Sequence, residues 1–121
     1  MEKPTILVCD DELGLRESLK LILEPDYALA FTGNGEEAIR YIKANDPDLL
    51  IMDVKMPKMS GLEALAQIKQ LKPQIPVLMI TGYESSDVAA QAIKLGAAAY
   101  LTKPFDCQKV LEQIRGLLAQ K

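Results

Sequence analysis

The feature that most restricts the fold is an alternation, repeated five times, of a short apolar run with a segment of helical periodicity. The apolar runs are TILVC (5–9), YALAFT (27–32), DLLIMD (48–53), PVLMIT (76–81) and AAYLT (98–102). After the first run, Leu15, Leu19 and Leu23 recur at helical spacing, and similar stripes follow the others. Short continuous apolar runs are typical of parallel strands covered on both faces. The sequence therefore predicts an α/β fold, a doubly wound five-stranded parallel sheet with right-handed crossovers.

Local signals mark several ends of the predicted helices. Ser60 and Glu63 form an S-x-x-E pattern, which is typical of a capping box at a helix start. Gly96 follows the stripe that includes Val88 and predicts the end of the fourth helix. Asp106 precedes the last helical stripe and is expected to be its N-cap.

Composition limits the functions that this chain can carry. A length of 121 residues suits one domain, taken as 1–121. The net charge of −3 argues against direct nucleic-acid binding, and no apolar run is long enough to cross a membrane. Cys9 and Cys107 lack a CxxC partner and no signal peptide is visible, so we expect a reduced, cytoplasmic setting. The absence of histidine excludes Ser-His-Asp triads and most zinc sites.

Polar residues follow four of the predicted strands. Asp10 and Asp11 end the first, Asp53 the third, Thr81 the fourth and Lys103 the fifth. Ligands of open parallel sheets bind outside the carboxyl ends of the strands, where the strand order reverses. If the order is 2-1-3-4-5, that point lies between the first and third strands, and these side chains surround one crevice.

The residue types in this crevice suit phosphoryl transfer. Three neighbouring carboxylates repel one another and need a cation, and Mg²⁺ (or Mn²⁺) prefers such oxygen ligands together with phosphate. Asp53 is a candidate nucleophile, since carboxylates form aspartyl phosphates. Lys103 and the Thr81 hydroxyl are candidates for contacting the phosphoryl oxygens.

Each residue also has a plain structural interpretation. Asp10 or Asp11 alone is equally compatible with a cap of the first helix. Asp53 alone is compatible with a solvated strand end, Thr81 with the start of a loop, and Lys103 with a strand terminator before proline. Their joint placement at one edge of the sheet favours the functional interpretation.

Four short motifs together carry a resemblance to a known family. The acidic pair, MDVKMPKMSG around Asp53, ITGY around Thr81 and YLTKPF around Lys103 resemble, in order and spacing, the receiver domain of bacterial two-component response regulators. The resemblance covers essentially the whole chain and implies a flavodoxin-like fold. It also implies that Asp53 is phosphorylated, that Asp10, Asp11, Asp53 and the Lys55 backbone carbonyl hold Mg²⁺, and that Thr81 and Lys103 contact the phosphoryl group.

The resemblance implies further roles in the same region. Tyr100 matches the switch aromatic that turns inward as Thr81 moves, although a ring at a strand edge is an alternative. Pro57 and Gly61 shape the loop after Asp53, and a cis peptide joins Lys103 to Pro104. Lys55 and Tyr83 flank the path of the attacking water, and their size predicts a long phosphoryl lifetime.

The expected function is a signalling switch rather than an enzyme that turns over an external substrate. A sensor histidine kinase or phosphotransfer protein supplies the phosphoryl group, and an output domain or downstream protein responds. Because Ala98 and Ala99 replace the acidic residues of a common dimer mode, we expect a monomer or a weak phosphorylation-dependent dimer. One alternative is a Mg²⁺-dependent phosphatase, although CDDE does not match the D-x-D pattern of such enzymes. Another is a nucleotide- or flavin-binding domain, although the sequence contains no GxGxxG. A third is a module used only for protein docking.

Overall fold

The computed structural model describes residues 3–56, 58–82, 86–103 and 106–119. Strands and helices alternate along the chain. The strands are β1 (Thr5–Cys9), β2 (Ala28–Thr32), β3 (Leu49–Asp53), β4 (Val77–Thr81) and β5 (Ala99–Thr102). The helices are α1 (Leu13–Leu23), α2 (Gly35–Ala44), α3 (Gly61–Leu71), α4 (Ser86–Lys94) and α5 (Cys107–Ala119). Each strand boundary lies within one residue of the sequence prediction.

The strands form one parallel sheet in the order β2-β1-β3-β4-β5, which confirms the predicted order. In β1, Cys9 lies opposite Thr32 of β2 on one side and Met52 of β3 on the other. β2 therefore lies beside β1 at one end of the sheet, and β4 and β5 lie beyond β3 at the other. This reversal places the expected crevice at the carboxyl ends of these two strands.

Alternate residues of each strand face opposite layers of helices. One layer joins the sheet to α1 and α5 through Ile6, Val8, Leu49, Ile51, Leu78, Ile80, Leu19, Leu23, Val110 and Ile114. The other joins it to α2, α3 and α4 through Leu7, Cys9, Leu50, Met52, Val77, Met79, Ala38, Ile42, Leu65, Ile68 and Ala92. Both faces are covered, which confirms the doubly wound architecture.

The strength of each apolar run matches the position of its strand. The central strands β3 and β4 are buried at every residue. The weaker runs form the edge strands, of which β2 has one exposed residue and β5 only half-buried ones. The side chains of the two edge strands are less buried, so fewer of them have to be strongly apolar.

The predicted helix signals are confirmed. The Ser60 hydroxyl accepts from the Glu63 N–H at 3.2 Å, and the Asp106 carboxylate accepts from the Lys109 N–H at 2.7 Å. Gly96 follows α4 with a φ of +112°, a left-handed conformation that favours glycine. Among the described residues, no helix is both long and apolar enough to cross a membrane.

Candidate functional site

The carboxyl ends of β1 and β3 bring two nearly buried carboxylates together. Asp10 follows β1 and Asp53 ends β3, and the two residues are only 2% and 4% exposed. Asp11 is exposed beside them, and one carboxylate oxygen from each of the three aspartates lies within 4.8 Å of the others. Because buried like charges repel one another, this cluster needs a positive charge close by.

Lys103, the residue after β5, supplies that charge. Its ammonium nitrogen lies 3.1 Å from Asp53 Oδ2 and 3.5 Å from Asp10 Oδ2. The Lys103 backbone N–H donates to the Thr81 carbonyl at 2.7 Å, which ties the end of β5 to that of β4. The sheet therefore holds the Lys103 ammonium over the two buried aspartates.

The pKa values of Asp10 and Lys103 are both raised, which favours the neutral form of Asp10 and the charged form of Lys103. Burial raises the pKa of Asp10 to about 6, because it outweighs the hydrogen bond from the Glu12 N–H; the charge of Asp53 adds to the rise and that of Lys103 opposes it. Burial lowers the pKa of Lys103, but the hydrogen bond and charge of Asp53, aided by Asp10 and Glu12, outweigh it, so the pKa is raised overall. Lys103 therefore stays charged, whereas ionised Asp10 costs free energy.

The interpretation of the acidic pair as a helix cap is wrong. Glu12 is the N-cap residue of α1, and its side chain makes no capping hydrogen bond. Asp10 Oδ1 instead accepts from the Glu12 backbone N–H at 2.7 Å, which orients the Asp10 carboxylate within the cluster. Asp11 stays exposed and takes part in the cluster rather than in the helix.

Thr81 lies on β4, the strand next to that of Asp53, and Tyr100 lies one strand further out, on β5. Thr81 is the last residue of β4 and is fully buried, while Gly82 after it lines the cleft. Tyr100 lies within β5 opposite Met79, and its half-buried ring packs against the core layer that includes Met79. Burial raises the pKa of the Tyr100 phenol. The ring is thus part of the edge of the sheet rather than of the cleft wall.

The loop between β3 and α3 is fixed closely against Asp53. The Gly61 N–H donates to the Val54 carbonyl at 2.7 Å, and the Lys55 N–H donates to Asp53 Oδ1 at 3.3 Å. Lys58 takes a φ of +70°, which is unusual for a residue with a side chain. These hydrogen bonds hold the end of β3, with Asp53, close to the first residue of α3.

A cleft of about 630 Å³ opens above these groups. The described residues that line it are Asp11, Glu12, Asp53, Lys55, Met56, Gly82 and Lys103. Pro57, Tyr83 and the Lys103–Pro104 peptide lie outside the described residues, so the roles assigned to them stay predictions. The cleft is large enough to admit a phosphoryl group to Asp53 from solvent.

Comparison with known proteins identifies the family. The sequence model of the response regulator receiver domain matches residues 6–115. The chain belongs to the receiver-domain family of response regulators. It is 39% identical over 110 residues to the transcriptional regulatory protein ZraR of Klebsiella oxytoca, covering 90% of this chain and 25% of the relative. It is 41% identical over 101 residues to the transcriptional regulatory protein YdfI of Bacillus subtilis, covering 81% and 47%.

Solved structures agree with this assignment. A CheY-like receiver domain protein from Methanospirillum hungatei superposes with a TM-score of 0.94 at 31% identity, covering 98% of this chain and 96% of that one. A response regulator from Chloroflexus aurantiacus gives a TM-score of 0.92 at 32% identity, with 98% and 99% covered. The curated relatives are longer, and this receiver domain spans about a quarter to a half of their length. The receiver domain is the phosphorylation switch of two-component response regulators, as the resemblance implied.

Two features of this receiver domain were not predicted from the sequence. Glu12 Oε1 lies 3.2 Å from the Lys103 nitrogen, a third carboxylate contact for that lysine. Asn34 caps α2 by accepting from the Glu37 N–H at 2.9 Å, while its amide donates to the Glu37 carboxylate at 3.2 Å. The N-x-x-E spacing at 34–37 was a signal for the second feature, whereas only the folded structure brings Glu12 to Lys103.

Proposed function

We propose that this receiver domain accepts a phosphoryl group on Asp53. The observation that carries the proposal is the position of the Asp53 carboxylate, which is nearly buried, 3.1 Å from the Lys103 ammonium and open to the cleft. The proposed donor is a phosphohistidine on a sensor histidine kinase or a phosphotransfer protein. An Asp53 oxygen attacks phosphorus, an O–P bond forms and the donor's P–N bond breaks. The electron pair of that bond leaves with the imidazole nitrogen.

Lys103 and Thr81 have separate roles in this step. The Lys103 ammonium neutralises negative charge on the phosphoryl oxygens, because it already lies within contact distance of the carboxylate that receives the group. The Thr81 hydroxyl donates to another phosphoryl oxygen from the end of the adjacent strand. Each group lies at the carboxyl end of a strand on the same edge of the sheet as Asp53, which supports these roles.

The acidic cluster fits a hard divalent cation. We propose that Asp10, Asp11, Asp53 and the Lys55 backbone carbonyl hold Mg²⁺ or Mn²⁺. The three carboxylate oxygens within 4.8 Å of one another, and the lining of the cleft by Lys55, support this assignment. When bound, the ion supplies charge neutralisation of the transferring group.

The proposed output is a shift between two conformations. Thr81 moves toward the phosphoryl group and Tyr100, half-buried at the edge of the sheet, turns inward. Relatives that carry the name transcriptional regulatory protein favour an output domain or partner that acts on DNA. Asp53 is itself the substrate here, so no turnover of an external substrate is expected.

Incubation with Mg²⁺ and phosphoramidate or acetyl phosphate is expected to add the mass of one phosphoryl group to the wild-type chain. The added mass should require Mg²⁺ and should be absent in Asp53→Asn, because the amide cannot form the aspartyl phosphate. Intact-mass spectrometry provides the measurement. Asp53→Asn retaining the gain, or steady release of phosphate from small phosphomonoesters, would argue for a different acceptor or for the phosphatase alternative.

Lys55→Asn is expected to speed the loss of the phosphoryl group several-fold. The Lys55 side chain is exposed and lines the cleft through which water must reach the phosphoryl group. A shorter side chain leaves that path more open. The decay of the phosphorylated mass after removal of the donor measures the effect, with Lys58→Asn in the same loop as a control of equal charge change. Equal decay rates in wild type and Lys55→Asn would show that Lys55 does not limit hydrolysis.

A further inference from the structure

Glu12 lies at the mouth of the cleft with its side chain turned away from the helix that it begins. It is the N-cap of α1 but makes no side-chain capping bond. Its backbone N–H is fixed by the bond to Asp10 Oδ1 at 2.7 Å. Its carboxylate reaches Lys103 instead, with Oε1 3.2 Å from the ammonium nitrogen, although the side chain is 62% exposed. An exposed ion pair of this kind is weak, so Lys103 can exchange it for another anion.

The Lys103 ammonium is fully engaged by carboxylates. It has three N–H donors, and its nitrogen lies within 3.5 Å of oxygens from Asp10, Glu12 and Asp53. An incoming phosphoryl group gains a hydrogen bond from Lys103 only by displacing one of these three. Asp10 and Asp53 belong to the proposed metal-binding set, and both are nearly buried. Glu12 is exposed and does not belong to the proposed metal-binding set. It is therefore the partner that competes with the phosphoryl group for Lys103.

We propose that Glu12 is a specificity-determining residue for the phosphoryl donor. It competes for Lys103 and adds negative charge at the cleft mouth, so it disfavours small, highly charged donors more than less charged ones. This inference rests on the proposed function. In the transfer, an O–P bond forms at Asp53 while the P–O bond of an acyl phosphate breaks and acetate leaves with the electron pair. With phosphoramidate the P–N bond breaks and ammonia leaves, because its nitrogen is already protonated.

A comparison of the two small donors distinguishes an effect of Glu12 on donor preference from a general effect on the rate of phosphorylation. Acetyl phosphate is a dianion at neutral pH, whereas the protonated nitrogen of phosphoramidate lowers its net charge. Glu12→Gln is expected to raise the second-order rate constant for acetyl phosphate about threefold, the scale of an exposed ion pair. The rise for phosphoramidate should be smaller, so the ratio of the two rate constants increases. Time courses of intact mass at fixed Mg²⁺ and ionic strength give both constants.

Glu17→Gln is the matched control. Glu17 is an exposed carboxylate on α1 that does not line the cleft, so its removal changes the net charge equally and should leave the ratio unchanged. An unchanged ratio in Glu12→Gln, or the same change in Glu17→Gln, overturns the inference while the proposed function stands. If wild type accepts no phosphoryl group from either donor, the proposed function fails and the inference fails with it.

Discussion

Replacing Gly61 with alanine is expected to lower the free energy of unfolding by about 3 kcal/mol. A Cβ at this position would stand 2.0 Å from the Asp53 carbonyl oxygen and 2.9 Å from both the Asp53 carbonyl carbon and Val54 Cα. All three neighbours are backbone atoms, so no flexible side chain can move to make room. The bond from the Gly61 N–H to the Val54 carbonyl at 2.7 Å prevents the loop from opening without a further loss.

The displaced backbone belongs to the proposed phosphorylation site. Either the end of β3 or the start of α3 has to shift, and a shift of β3 moves the Asp53 carboxylate relative to Lys103. Gly61→Ala should therefore slow phosphoryl uptake as well as reduce stability. This requirement is steric: Gly61 does not have a positive φ, so conformational freedom is not what selects glycine here.

Urea denaturation followed by far-UV circular dichroism measures the stability, since the chain has no tryptophan. Gly116→Ala is the matched control, because Gly116 lies in the interior of α5 and a Cβ there meets nothing within 4 Å. Alanine at that helical position should raise stability by about 0.5–1 kcal/mol. A Gly61→Ala stability close to that of wild type would mean that the loop relaxes at little cost.

The sequence was sufficient for the fold because its signals agree with one another. Continuous apolar runs at β3 and β4 required cover on both faces, and the helical stripes between the runs provided it. The capping residues Ser60 and Asp106 then fixed where two helices begin. The placement of Asp10, Asp53 and Lys103 at one edge follows from the strand order, since the ends of parallel strands meet there.

The site contains more than the strand order determines. The contact between Glu12 and Lys103 joins residues 91 positions apart through two long side chains. No spacing in the sequence indicates which carboxylates share a lysine, because that depends on rotamers and on the height of each strand end. The resemblance implied that Gly61 shapes the loop after Asp53, but the steric reason was not predictable, because the sequence does not show the backbone packed against this glycine.

Asp10→Asn is expected to raise the free energy of unfolding by about 1–2 kcal/mol at pH 8 in the absence of divalent ions. Burial raises the pKa of Asp10 from 3.8 to about 6, which corresponds to roughly 3 kcal/mol between its two protonation states. The asparagine keeps an oxygen for the Glu12 N–H but loses the attraction of Lys103, so the gain is smaller than that value. Neutralising the buried carboxylate thus removes a cost that the ionised wild type carries.

The pH dependence gives the sign of this effect. Between pH 3.8 and about 6 the folded state of the wild type binds the Asp10 proton and the unfolded state releases it, so the stability contributed by Asp10 falls as pH rises. Below this range both states are protonated and the penalty disappears. The advantage of Asp10→Asn should therefore be full above pH 6 and absent at pH 3.8 and below.

Urea denaturation at several pH values tests this expectation, with Asp26→Asn as a control at an exposed aspartate outside the cleft. Addition of Mg²⁺ should reverse the order at high pH, because a ligand stabilises only the folded form that binds it and Asp10 is a proposed ligand. Wild type then gains more stability than Asp10→Asn. If the variant is less stable than wild type without Mg²⁺, burial of the ionised Asp10 carboxylate does not lower the stability of the wild type. If both proteins gain equally from Mg²⁺, Asp10 does not hold the ion.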